Sequence, residues 1–175
     1  MIISVARLKE KYPSEDTESL TEKINAIEWA IRGYTNNEFQ DKRLRFKAKI
    51  TNGILYPKPS YIKVGDTITI TQGLNHGFYT VDTICDEHFT VENYVIDEEE
   101  SLVTKVYYPP DVISVAFDLM EWQIKHSEKV IAGVSSEQIS RYSVSYGNMD
   151  FDNTNINGYP SPMMKRLKPY MKAKF

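Results

Sequence analysis

The residue types that most often carry chemistry are present but scattered. His76, His88 and His126 form no pair at the i, i+4 spacing by which one helix face offers two ligands to zinc. His88 stands close to Cys85, the single cysteine, yet two ligands without two more make no metal site. Cys85 follows Val81 and Ile84 in a strand-like run, so a buried structural thiol is expected there. Asp150, Asp152 and Thr154 imitate the opening of a calcium loop. Asn155 stands where the required glycine belongs, however, and Ser161 where the bidentate acid belongs, so a mobile polar loop over 147–160 is expected. Neither a glycine-rich phosphate loop nor a nucleophile elbow occurs. The expectation is a protein without catalytic residues, metal or cofactor: not an enzyme.

One cationic pattern needs weighing. Arg43, Arg45, Lys47 and Lys49 alternate with Leu44, Phe46, Ala48 and Ile50, the pattern of a half-buried strand with a basic outer face. With aromatics nearby, such a face on a small barrel suits single-stranded nucleic acid. The surrounding segment argues the other way. Residues 51–111 hold 3 basic and 10 acidic side chains, a net −7 that repels phosphate, while residues 1–50 and 112–175 are each +2. A solvated or protein-contacting face is the preferred reading, with a nucleic-acid-binding barrel as the alternative. An acidic middle and a basic end (Lys165, Arg166, Lys168, Lys172, Lys174) favour head-to-tail contacts between copies, or docking onto a larger partner.

The elements that must position these residues fall into three stretches of a 175-residue chain, 41% hydrophobic and 26% charged, a globular composition. It has no apolar run long enough to span a membrane, and its start lacks the basic and apolar regions of a secretion signal. A lone cysteine fits synthesis in a reducing compartment. Leu20, Ile24, Ile27, Ile31 and Tyr34 step by four and three, predicting a helix over 15–34, with a short helical turn before it near Val5–Leu8. Trp29 lies off that stripe, where it would pack on another element. Residues 43–107 then alternate apolar with polar, predicting about six short strands of a small barrel or sandwich. Asn52-Gly53 marks a turn, and Asp97-Glu98-Glu99-Glu100 reads as a solvated loop tip.

Helical spacing returns at Pro109-Pro110-Asp111. Val112, Val115, Ala116, Leu119 and Trp122 form one apolar stripe, and Ile113, Phe117, Met120 and Ile124 a second. So wide a girth needs several neighbours, and another subunit is expected to cover part of it. Ser161-Pro162 is expected to cap a short final helix that Pro169 stops. The fold class is therefore α+β. A small helical core from 1–42 and 108–175, with a C-terminal tail, carries an inserted β-rich module at 43–107.

The flanks together resemble the head-tail connector (adaptor, or head-completion) proteins of tailed bacteriophages. The likeness rests on Ile24-Asn25-Ala26-Ile27-Glu28-Trp29-Ala30-Ile31-Arg32-Gly33-Tyr34 with its exit through Phe39, and on Tyr108-Pro109-Pro110-Asp111-Val112. It rests also on Ile139 to Tyr146, Gly158-Tyr159-Pro160 and Leu167-Lys168-Pro169-Tyr170. The resemblance implies a structural virion protein at the neck, made in the bacterial host cytoplasm. It would form a ring, a dodecamer in the virion, beneath the portal protein, extending the DNA channel without specific DNA binding and receiving the next neck, stopper or tail-completion protein. It implies portal docking by Lys165, Arg166, Lys168, Pro169, Tyr170, Lys172, Lys174 and Phe175, a basic, flexible tail. Intersubunit packing would fall to Val112, Ile113, Val115, Phe117, Met120, Trp122 and Ile124. The β module departs from the all-helical members of that family.

Overall fold

A computed structural model of the chain describes residues 1–71, 73–126, 136–139, 142–145 and 155–173, the two middle segments by backbone alone. The chain divides into two compact units. Met1–Glu15 with Asn37–Pro109 forms one, and Asp16–Asn36 with the chain from Pro110 onward forms the other. Mixed helix and sheet make the fold α+β.

The first unit is a closed barrel of six antiparallel strands: β1 (Gln40–Thr51), β2 (Ile54–Tyr56), β3 (Thr67–Ile70), β4 (Gly77–Ile84), β5 (Phe89–Val91) and β6 (Glu98–Val106). Their order around the barrel is β1-β2-β5-β4-β3-β6, and β6 returns to β1. The alternation in β1 sets its register, with Ala48 and Ile50 buried while Lys47 and Lys49 stay exposed. Register shifts between Gln40 and Arg45, and between Ala48 and Ile50, bend this long strand as closure requires. Asn52 and Gly53 both adopt positive φ (52° and 77°), so a two-residue turn whose twist suits the hairpin joins β1 to β2.

Phe89, Leu55, Ile50, Ile68, Ile70, Val81 and Val103 fill the barrel core, and Phe46 meets Phe89 edge-on at 6.3 Å. Burying Phe89 completely contributes about 3 kcal/mol. Helix α1 (Val5–Lys11) belongs to this unit, and the Met1 ammonium donates to the Thr67 hydroxyl on β3. The first fifteen residues thus sit with the barrel, where the sequence groups them with the helical core.

The second unit is built from sequence-distant pieces. Helix α2 (Thr17–Thr35) starts where the Asp16 carboxylate accepts from Glu18 N at 2.9 Å and Ser19 N at 3.2 Å. It ends at Asn36, which takes the left-handed conformation (φ 48°). Helix α3 (Pro110–His126) begins on proline, with Asp111 in its first turn and Lys125 and His126 in its last, as the helix dipole favours. The two helices pack together. Backbone hairpins β7 (Ser136–Ile139) with β8 (Tyr142–Ser145), and β9 (Asn155–Ile156) with β10 (Tyr159–Pro160), follow. Short helix α4 (Ser161–Lys165) and a 3-10 turn at Lys168–Tyr170 close the described chain. Ser161 does not cap α4; Pro160 holds the cap position and Ser161 is buried inside the first turn. The expected loop at 147–160 lies largely outside the described residues, though 155–160 form the β9–β10 hairpin through Asn157 and Gly158, both at positive φ.

Candidate functional site

Helix α3 separates its two apolar stripes by burial. Val112, Val115, Ala116 and Leu119 of the first are buried, and so is Met120 of the second. Ile113, Phe117 and Ile124 are only half-buried. Val112, Val115 and Met120 are therefore sheathed by their own chain and withdraw from the residues expected at a subunit contact, because α2 and α4 pack against α3. Trp122, half-buried, stacks on His126 (ring centroids 5.0 Å apart) and meets Tyr159 edge-on at 6.1 Å. Of the residues expected at a subunit contact, Ile113, Phe117, Trp122 and Ile124 are the half-buried ones.

Helix α2 adds two features. Trp29, expected to pack on another element, is 68% exposed, since it projects opposite the Leu20–Ile24–Ile27–Ile31 stripe that buries. Glu28 and Arg32 form a buried ion pair one helical turn apart. Its i, i+4 spacing is readable in sequence; its burial is not.

The C-terminal segment is tied down where the sequence suggests a flexible tail. Arg166 pairs with Asp118 on α3 and donates to Ser114 Oγ at 3.4 Å. Tyr170 OH donates to Asp111 Oδ2 at 3.2 Å; burial first, and that carboxylate second, push the phenol above its ordinary pKa. Lys172 N donates to Thr35 O at 2.8 Å, and Asn36 Nδ2 to Ala173 O at 3.0 Å. Arg166 and Tyr170 are thus engaged within their own unit. The Lys165, Lys168 and Lys172 side chains and Pro169 stay exposed, while Lys174 and Phe175 lie outside the described residues.

The basic strand proves internally neutralised. Lys47 pairs with Glu100 at 2.8 Å, Lys49 with Glu99 at 2.9 Å, and Arg43 with Asp41 at 3.0 Å. Arg45 donates to Thr104 Oγ1 at 2.8 Å. The Arg43 guanidinium holds the Asp41 carboxyl below its usual pKa. Glu98, Glu99 and Glu100 are no loop tip: they open β6 and lie across from β1, which puts carboxylates opposite its lysines.

One end of the barrel carries an organised cluster that the sequence did not reveal. Glu98 accepts from Ser101 Oγ at 2.5 Å, Asn75 Nδ2 at 3.1 Å and Leu74 N at 3.1 Å. These bonds, Ser101's first, hold its carboxyl below the ordinary glutamate value. Asn75 is buried and clips onto Ile96 in both directions, donating to its carbonyl at 2.9 Å and accepting from its N–H at 2.7 Å. Asp97 accepts from Asn52 N at 2.7 Å, so three turns meet here. Gly73 (φ 92°) lies so close to Glu98 that a Cβ would sit 1.6 Å from its Oε1. Beside this cluster Leu74 is 73% exposed, Tyr94 87% and Ile96 45%.

Among the described residues no group of three or more His, Cys, Asp or Glu is placed to hold a metal ion. Cys85 is exposed, not buried, because it falls one residue past β4 in the turn where its N–H donates to His88 O at 2.9 Å. Asp150, Asp152 and Thr154 lie outside the described residues. Among the described residues no helix is long and apolar enough to cross a membrane. No protein-family model matches the chain, and no curated protein matches it significantly.

Proposed function

We propose that this protein is a structural, non-enzymatic component of a tailed-phage neck. It assembles as a ring beneath the portal, joins head to tail and extends the DNA channel after packaging. One observation carries the reading: two flanks separated by some seventy residues make one helical unit, α2 against α3, with the C-terminal segment hydrogen-bonded to the end of α2. Those flanks hold the segments that resemble the connector family. The half-buried strip Ile113, Phe117 and Ile124 supports packing between copies, at a narrower contact than the sequence implies. With residues 166–173 bonded to their own unit, portal docking in this reading falls to the exposed Lys165 and Pro169 together with Lys174 and Phe175, which lie outside the described residues.

The alternative, a barrel that binds nucleic acid, is disfavoured by the pairing of Lys47, Lys49 and Arg43 with carboxylates. Electron microscopy of concentrated protein, followed by co-sedimentation with the portal encoded in the same genome, tests the proposal. Rings that attach to the portal, and that keep their ring form but lose attachment when Lys174 and Phe175 are deleted, are expected. Salt-sensitive binding of a single-stranded oligonucleotide, abolished by reversing Arg43, Arg45, Lys47 and Lys49, would instead establish the alternative.

A further inference from the structure

The barrel end at Leu74 and Ile96 is built to hold apolar side chains in water. Leu74 is not exposed through slackness: its N–H is bonded to Glu98, and the next residue, Asn75, is buried and locked to Ile96. Gly73 is needed for the approach, since any side chain there meets the Glu98 carboxylate. A glutamate, an asparagine and a glycine thus fix a loop whose outward product is an exposed leucine. Such fixed exposure suits a surface that docks without first having to become ordered.

Charge names the occupant. Glu92 and Asp97, both exposed, bracket Tyr94 and Ile96 along the chain, within a segment of net −7. The same chain carries the complementary surface. Met171 is 50% exposed between Lys168 and Lys172, whose ammonium groups pair with no carboxylate among the described residues. That segment is also held firm, with Met171 N donating to Lys168 O at 3.1 Å and Lys172 N to Thr35 O. We infer that the Leu74–Ile96 end of one copy's barrel docks on the Lys168–Met171–Lys172 surface of a second copy. Two different patches meet, so the contact is head-to-tail, and it repeats until a ring closes or a filament grows. The inference rests on the ring reading only for that closure.

The test uses the full chain in a Cys85→Ser background, which removes the one exposed native thiol. Leu74→Cys and Met171→Cys proteins are purified separately, mixed and mildly oxidised, and disulfide-linked species are read on non-reducing gels and by mass spectrometry of the linked peptides. Val64→Cys, at another exposed position on the barrel, serves as control. The expected result is a Leu74→Cys/Met171→Cys pair at tenfold or more the yield of either protein alone or of the Val64→Cys mixture. Lys168→Glu with Lys172→Glu should weaken self-association at least tenfold in sedimentation, with recovery on adding Glu92→Lys. Equal yields in all mixtures, preferential Leu74→Cys homodimers, or a monomer without any pair would overturn the contact. Large assemblies lacking the pair would sink this contact and leave the ring reading intact. The pair forming in a protein that never attaches to portal would do the reverse.

Discussion

The barrel and the helical unit solve the problem of burial differently. Every barrel strand has two neighbours, its core residues reach essentially zero exposure, and its outer lysines find carboxylates on the adjacent strand. The helical unit gathers two long helices and short hairpins from distant parts of the chain and leaves Trp29 and the strip Ile113, Phe117 and Ile124 partly in water. A closed sheet completes itself and can interact only through its turns or outer face. A helix with apolar residues around much of its girth is harder to cover completely. The exposed apolar side chains therefore sit in a hydrogen-bonded loop of the barrel and along single helix faces of the other unit.

The sharpest break between them comes from core truncation. Phe89→Ala should lower barrel stability by about 4 kcal/mol, read as a shift of the urea midpoint, whereas Ile113→Ser should cost the monomer under about 1 kcal/mol yet weaken self-association. A monomer equally damaged by both would erase the distinction. Next in size is the buried pair of α2. Arg32→Met removes one partner of the buried Glu28 carboxylate and should cost about 3 kcal/mol, while exposed Trp29→Ala should change monomer stability by less than about 0.5 kcal/mol. Gly73→Ala should cost about 2 kcal/mol, since it forces both the positive φ and the Glu98 carboxylate, and should speed hydrogen exchange at Leu74 N. Gly53→Ala, with open space around it, should cost only the φ strain, about 1 kcal/mol.

Acid sharpens the comparison further. The folded-state pKa of Glu98 lies below its ordinary value of 4.5, so its stabilisation is present above that value and is lost as pH falls through the folded one. Exchange at Leu74 N should therefore rise below pH 4.5 while α2 amides remain protected, and Glu98→Gln should remove that pH dependence. The smallest effects belong to the strand pairs: Lys47→Ala and Lys49→Ala should each cost under about 1 kcal/mol, because both bridges are exposed.

How much the sequence reveals follows from which interactions are local. The stripes of α2 and α3, the alternation in β1 and the Asn52-Gly53 turn are written at short spacing, and each appears where its period places it. Three readings failed for want of tertiary information. Glu98–Glu100 looked like a loop because acids seldom open strands, and the lysines that make them welcome sit some fifty residues earlier. Cys85 seemed buried because Val81 and Ile84 precede it, yet the strand ends one residue sooner. Residues 1–15 looked like part of the helical core, although the Met1 ammonium reaches a threonine sixty-six positions away. Of the Leu74–Ile96 end, only its turn-forming residues are legible; the Glu98–Asn75–Ile96 clamp joins two loops to the start of β6 and leaves no periodic trace.

The closure of β1 on β6 bears on how such a chain can change over time. Where the barrel begins and ends, Tyr107 N donates to Phe39 O at 2.8 Å, and the Phe39 and Tyr108 rings lie 5.1 Å apart. The incoming and outgoing polypeptide are thus fastened side by side, whatever lies between them. Loops of the barrel can lengthen, shorten or be exchanged for another closed module without altering the gap the flanks must span. The clasp at Phe39, Tyr107 and Tyr108 thus uncouples the size of the barrel's loops from the spacing of the chain that enters and leaves it.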